Sequence, residues 1–302
     1  MHETIIIGAG IAGMTAAIYA SRKRMTFLIL ADKIGGQFLQ SGEVLNYPGI
    51  KETTGAEFEK IMEEQLKFNN VEVKEGYFVE KIEKIGENFK VKSNKGEFET
   101  RTVIIASGAR PRKLGVPGEQ EYDKKGLTYC SVCDGPLFAD KDVAVIGGGN
   151  AALEAVDFLK SIAKKIYVLN IAEKLTAHEY LQENMAKIKN AEIQNNARTT
   201  EIIGNGSMVT GLRYEQNGEQ KQLNVQGVFV EIGRVPNTEF AKDFVELDEH
   251  GHIQIDCAGS TSVQGVFAAG DCASGHEYQY VIAAGQGCMA LLKAARYLAG
   301  KQ

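Results

Sequence analysis

Cys130 and Cys133, in the run Cys130-Ser131-Val132-Cys133-Asp134, are the residues of this chain whose type and spacing are best suited to chemistry. Two cysteines so placed at the start of a helix can close a small disulfide, and the helix dipole lowers the pKa of a thiolate there. The competing readings are half of a zinc site or a purely structural pair. Zinc needs further ligands at suitable spacing, and the sequence has no second CxxC and no matching histidine pair, so no metal is expected. A redox dithiol is the stronger reading. Cys257, Cys272 and Cys288 are scattered and read as ordinary thiols, and an odd total of 5 cysteines argues against a secreted disulfide framework.

The elements that must position this pair are announced by a duplicated pattern. Thr4-Ile5-Ile6-Ile7 leads into Gly8-Ala9-Gly10-Ile11-Ala12-Gly13, and Val143-Ala144-Val145-Ile146 leads into Gly147-Gly148-Gly149-Asn150-Ala151-Ala152. Each reads as strand, glycine turn and helix, and each is followed by a second apolar strand, Phe27–Leu30 or Ile166–Leu169. In such a turn one glycine makes the bend and one lets the backbone approach a pyrophosphate. The third position, Gly13 or Ala152, lets helix and strand pack closely. The helix N-terminus then offers unpaired N–H groups to phosphate. A single GxGxxG is weak evidence; two in the same strand–turn–helix context are much stronger.

Further apolar runs at Thr102–Ala106, Gly227–Val230 and Gly265–Ala269 complete the sheets, and alternating stretches such as Phe89-Lys90-Val91-Lys92 predict antiparallel strands. The order predicts an α/β protein of two Rossmann-like, three-layer nucleotide-binding domains, the second inserted in the first. The first domain is expected over 1–114 and 244–302. The second, over 115–243, carries the CxxC, with linkers near Val116-Pro117-Gly118 and Asn237-Thr238.

A length of 302 residues suits two cores, and 44% hydrophobic with 24% charged residues is an ordinary globular composition. The net charge of −5 gives no basic footprint, so neither nucleic acid nor an anionic membrane surface is an expected partner. No window approaches a membrane span, and Met1-His2-Glu3-Thr4 has no basic, leader-like region, so a cytoplasmic location is expected.

With these residues in place the chain resembles the low-molecular-weight, flavin-dependent thioredoxin reductases over essentially its whole length. Matching motifs, in order, are the first glycine loop, Gly35-Gly36-Gln37, Asn46-Tyr47-Pro48-Gly49 and Ala106-Ser107-Gly108-Ala109. Pro117-Gly118-Glu119, Cys130–Gly135, the second glycine loop, Gly233–Thr238 and Gly265–Asp271 follow. The resemblance implies FAD on the first domain, with Gly8, Gly10, Gly13, Gly108 and Gly270 among the residues around it. It places Gly36, Gln37, Asn46 and Gln279 near the flavin and Asp271 toward the ribityl chain and pyrophosphate. Asp32 either accepts from a ribose hydroxyl or is a solvated turn residue. Gly147, Gly149, Asn150 and Ala152 would form a second nucleotide loop. By the same resemblance Cys133 faces the flavin and Cys130 attacks the disulfide of thioredoxin or a thioredoxin-like protein. Asp134 serves as general acid or base, or only as a helix cap. A homodimer and a rotation of the middle domain on its linkers are also implied.

Two departures from the family stand out. NADPH-dependent members carry a pattern like HRRxxxRA after the second strand of the middle domain, whereas this chain reads Asn170-Ile171-Ala172-Glu173-Lys174-Leu175-Thr176-Ala177. The arginine positions hold Ile171, Ala172 and Thr176, and neutral residues cannot replace an Arg–phosphate fork. NADPH is therefore not the expected donor, although Lys174 could supply a point charge. NADH, with Asn170 as a weak partner for its 2′-hydroxyl, reduced ferredoxin and a deazaflavin are the donors left open. Tyr278-Gln279-Tyr280 replaces the Arg-Gln-Ala or Arg-Gln-Val of many relatives. The two rings either stack near the flavin or pack between domains. The alternatives in function are a ferredoxin–NAD(P) reductase-like flavoprotein, whose known members lack the CxxC, and a flavin redox sensor without turnover.

Overall fold

The computed structural model describes residues 1–41, 43–275 and 278–300. The chain divides into two compact units, one comprising Met1–Arg110 and Val235–Gln302, the other Pro111–Arg234. The crossings therefore fall earlier than the expected boundaries at 114 and 244, and for a physical reason. The backbone N–H groups of Leu114 and Gly115 both donate to the buried Glu119 carboxylate at 2.7 Å, and Pro117 O accepts from Ile202 N, which ties 112–118 into the second unit. Asn237 N donates to Gly108 O at 2.9 Å, and Ala241 and Val245 are buried in the first unit's core, which claims the segment before 244.

In the first unit Ile5, Ile6 and Ile7 are buried on both faces of the strand His2–Ala9, the pattern of a central parallel strand. The sheet runs Val73–Glu75, Phe27–Ile34, His2–Ala9, Gly96–Ile105, Asn88–Ser93, Val79–Ile85. Its long strand is shared: Thr100 pairs antiparallel with Phe89, while Val103 pairs parallel with Val266 of the Val266–Ala268 strand. Helices Ile11–Arg22, Gly55–Phe68 and Tyr280–Ala299 cover one face; the antiparallel strands and the segment 240–255 cover the other. The Gly55–Phe68 helix starts at a capping box between Thr54 and Glu57.

In the second unit five strands are all parallel, in the order Leu127–Thr128, Gly227–Val230, Asp142–Ile146, Lys165–Leu169, Ala191–Gln194. Helices Asn150–Leu159 and Glu179–Met185 pack on one face. The antiparallel sheet Ala197–Gly204, Val209–Gln216 and Glu219–Leu223 packs on the other. Because the five strands share a direction, their carboxyl ends share one edge, where ligands of open α/β sheets bind. That edge carries Cys130, Glu231, the Gly147 turn and Asn170, each just after its strand. Both units are thus Rossmann-like and three-layered, the second inserted in the first. Among the described residues no helix is long and apolar enough to cross a membrane.

Candidate active site

Cys130 and Cys133 are joined by a disulfide, with Cα atoms 5.3 Å apart. They sit on the one-turn helix Ser131–Asp134, whose N-cap is Cys130 itself: its Sγ accepts from Cys133 N at 3.1 Å. The dipole reading of this spacing therefore has a geometric basis, a sulfur held against a helix N–H. Cys133 is exposed and Cys130 half-buried.

Asp134 stands at the N-cap position of the short turn Gly135–Phe138, but its side chain makes no capping bond there. Its carboxylate accepts from Thr128 Oγ1, and that same hydroxyl oxygen accepts from Cys130 N at 3.2 Å. Thr128 is buried and thus fixes both the acid and the cysteine backbone. Glu119 supports the same loop from below, taking Leu114 N, Gly115 N and the Tyr129 hydroxyl, each at 2.7 Å. Burial, with Glu119 second, drives the Tyr129 phenol far above its ordinary range. Sequence reasoning missed Thr128, Ser131 and Glu231. For Glu231 a signal existed: it is an acid closing the apolar run Gly227–Val230 at the ligand edge of a parallel sheet.

The first glycine loop folds as one tight turn between strand and helix. A Cβ on Gly8 would lie 2.2 Å from Ala106 O, and one on Gly13 would lie 1.9 Å from Gly8 O, so both glycines are demanded by packing. Gly10 is different. Its φ of −78° suits any residue, and a Cβ there would meet nothing within 4 Å. Open space in front of an uncapped helix start is what a pyrophosphate needs, and it fits FAD. Gly36 approaches Gly10, with a Cβ placed 3.1 Å from Gly10 Cα, and a Cβ on Gly270 would lie 3.2 Å from Ala12 Cβ. Gln37 Nε2 donates to Ala109 O, beside Gly108, and Asn46 Nδ2 donates to Gln279 Oε1 at 3.1 Å. Asp271 follows Gly270 beyond the Val266–Ala268 strand. Asp32 lies exposed within Phe27–Ile34, its carbonyl accepting from Gly76 N.

The two tyrosines beside Gln279 are engaged inside the first unit. Tyr280 packs its ring 4.8 Å from Phe38 and 5.9 Å from Phe58 and donates its hydroxyl to Gln37 O at 3.2 Å. The Tyr278 hydroxyl bonds the buried His252 Nε2 at 2.8 Å.

The second loop repeats the first at the corresponding positions. A Cβ on Gly147 would lie 2.2 Å from Glu231 O, as Gly8 meets Ala106 O; Gly149 is open, its nearest neighbour being Thr176 Oγ1 at 3.7 Å; Ala152 is fully buried. The extra glycine, Gly148, has its own cause: a Cβ there would lie 2.3 Å from Asn170 Oδ1. Asn170 is only 3% exposed, and its amide bonds Ala172 O at 3.0 Å, Asn195 Oδ1 at 2.9 Å and Ala172 N at 3.3 Å. It therefore shapes the loop and is poorly disposed to grip a ribose, contrary to the weak 2′-hydroxyl role the sequence allowed. Thr176 N and Ala177 N return to Gly148 O at 2.8 and 3.2 Å, and His178 N donates to Asn150 Oδ1 at 2.8 Å. Ile171, Ala172, Lys174 and Thr176 lie along this segment, which holds no arginine; Ile171, Ala172 and Lys174 are exposed.

Two Rossmann-like units, two glycine turns and an exchangeable disulfide at the edge of one sheet define a nucleotide-linked redox protein. Residues 2–287 match the family described as pyridine nucleotide-disulphide oxidoreductase, and the chain belongs to that family. Membership implies FAD together with a nicotinamide cofactor. The F component of the alkyl hydroperoxide reductase of Staphylococcus aureus (strain MSSA476) is 43% identical over 98% of this chain. The chain spans 59% of that relative's length. Among solved structures, Lactococcus lactis thioredoxin reductase in its FR conformation superposes with a TM-score of 0.92 at 34% identity, covering 99% of this chain and all of that one. The thioredoxin reductase of T. acidophilum gives 0.88 at 37% identity, covering 100% of this chain and 99% of that one. Over essentially its whole length the chain is thus similar to thioredoxin reductases.

Proposed function

We propose that this chain reduces the disulfide of a thioredoxin-like protein, with Cys130 and Cys133 as the redox pair. The observation that carries the reading is the disulfide at the start of a short helix, beside an acid oriented by Thr128. When bound, FAD supplies the two electrons that open this disulfide, and Gly10 leaves room for its pyrophosphate. The Cys130 thiolate attacks one sulfur of the partner's disulfide, and the partner's other sulfur leaves as a thiolate that takes a proton. Cys133 then attacks Cys130 in the mixed disulfide, which re-forms the Cys130–Cys133 bond and releases the partner's second thiolate. Asp134 holds and returns the proton that this exchange moves. The donor is NADH in preference to NADPH, because the segment 171–178 offers no guanidinium for a 2′-phosphate.

A second reading of the partner is favoured by the 43% identity to a component of an alkyl hydroperoxide reductase: the disulfide reduced belongs to a peroxide-reducing protein. Cys130→Ser and Cys133→Ser decide the shared core of both readings. Each variant should lose turnover with thioredoxin and with a peroxide-oxidised dithiol protein while its flavin is still bleached anaerobically by NADH. Turnover surviving in Cys130→Ser would remove the role given to that thiol.

A further inference from the structure

Glu231 closes the Gly227–Val230 strand at the same sheet edge as the dithiol and the second glycine turn. Its carboxylate accepts from both the backbone N–H and the hydroxyl of Ser131, the buried residue that follows Cys130. Its backbone is pinned as well: its N–H donates to Ile146 O at 2.8 Å, and its carbonyl fills the space a Cβ on Gly147 would need. The charged and titratable groups facing the carboxyl are Arg234, which opens the short strand Arg234–Pro236, and Glu154 from the Asn150–Leu159 helix, and Glu154 is in turn faced by His178. Burial raises the Glu231 pKa to about 7; Arg234 and the Ser131 hydrogen bonds oppose that rise, and Glu154 adds to it. None of the roles assigned above uses this acid.

We propose that Glu231 is a positioning residue for the dithiol: through Ser131 it holds the CxxC turn, and its own protonation sets how readily Cys130 ionises. The inference rests on the redox reading of the pair. In the disulfide Cys130 Sγ sits at the N-cap and accepts from Cys133 N, and a sulfur that keeps this place on reduction is favoured there as a thiolate. A carboxylate bonded to the residue that follows Cys130 puts like charge into the same turn, which raises a thiol pKa there, whereas a neutral carboxyl does not. The coupling is reciprocal, so a thiolate on Cys130 draws a proton onto Glu231. Reduction to one thiolate and one thiol consumes two electrons and one proton at the sulfurs. Glu231 takes up part of a second proton and gives it back when the disulfide re-forms.

The test is alkylation of the reduced protein with iodoacetamide from pH 5.5 to 9.5, followed at the Cys130 peptide by mass spectrometry. This readout needs neither partner nor electron donor, so it stands apart from the turnover test of Cys130→Ser. The wild-type profile should show two inflections, the lower near neutrality. Glu231→Gln should lose the lower inflection and, just above neutral pH, alkylate severalfold faster, at most about tenfold, since removing the like charge lowers the thiol pKa by about a unit. Glu231→Asp should restore the two-step profile. Ser131→Ala should move the lower inflection to higher pH, because it removes a bond that favours the ionised acid. A purely structural role would scale the rates at all pH values and leave both inflections in place. A lower inflection that persists in Glu231→Gln overturns the proposal. Should that variant fail to match the wild-type far-UV spectrum, an unmoved lower inflection in Ser131→Ala overturns it equally.

Discussion

Gly10→Ala and Gly13→Ala should separate flavin binding from packing within one loop. A methyl group on Gly13 would sit 1.9 Å from Gly8 O, whereas ordinary contact begins at about 3.4 Å, so the Ile11–Arg22 helix must withdraw from its strand by about 1.5 Å. Such overpacking of a core costs about 3 kcal/mol, which for a unit of this size lowers Tm by about 6–12 °C. At Gly10 the methyl meets nothing and the backbone is already in an ordinary region. Stiffening the unfolded chain stabilises by up to about 1 kcal/mol, and an alanine N-cap is worse than glycine by a similar amount, so the apoprotein should melt as the wild type does. Its FAD affinity should nevertheless fall by at least about 100-fold, about 2.7 kcal/mol, because the methyl occupies the pyrophosphate's place. Far-UV melts of the apoproteins and titration by quenching of FAD fluorescence measure the two effects. Wild-type affinity in Gly10→Ala would refute the assignment of the pyrophosphate to this turn. A melt lowered as far as that of Gly13→Ala would refute the packing contrast.

Four further outcomes are expected. Anaerobic bleaching should proceed with NADH at concentrations where NADPH is ineffective, and the triple change Ile171→Arg, Ala172→Arg, Thr176→Arg should improve NADPH at least about tenfold, since a phosphate fork is worth more than about 1.4 kcal/mol. Glu119→Ala should destabilise the second unit by about 3 kcal/mol, because Leu114 N, Gly115 N and the Tyr129 hydroxyl lose their acceptor; urea unfolding followed by hydrogen exchange across 112–129 reads it. Because burial raises the Glu231 pKa to about 7, its protonated form is favoured in the folded state. The resulting stability is complete below its unfolded value of about 4.5 and is lost as pH rises through 7, so Glu231→Gln should gain up to about 3 kcal/mol on the wild type between pH 5 and 8, in urea melts of the oxidised protein. Parallel stability curves would show that the carboxyl is not so perturbed. Thr128→Val should slow disulfide turnover severalfold without changing flavin reduction by NADH, since it frees Asp134 and the Cys130 N–H from a shared hydroxyl.

The chemistry-bearing residues were legible because they are local. A CxxC needs only its own spacing, and a strand–glycine–helix turn is written in contiguous residues, so Cys130, Cys133 and the loops at Gly8 and Gly147 could be read from order alone. The same was true of the missing arginines at 171, 172 and 176, whose absence is a statement about residue type. The crossings between units are harder to read, because a Val-Pro-Gly stretch signals a turn but not its owner. The owner was set by Glu119, whose carboxylate draws 114 and 115 into the second unit.

Tertiary structure decided what long-range contacts alone can specify. It distinguished the glycine that leaves space, Gly10, from those that packing requires, and gave Gly148 its cause in Asn170, 22 positions along the chain. It buried Asn170 as a brace of the second glycine loop and sent the Tyr280 ring into the aromatic core. It also brought Glu231, about 100 residues from Cys130, to Ser131 at the sheet edge that carries the dithiol, because parallel strands distant in sequence deliver their carboxyl ends to one edge. Spacing marks Cys130 and Cys133 as a pair and Asp134 as their neighbour, whereas only the parallel strands bring Glu231 to the same edge.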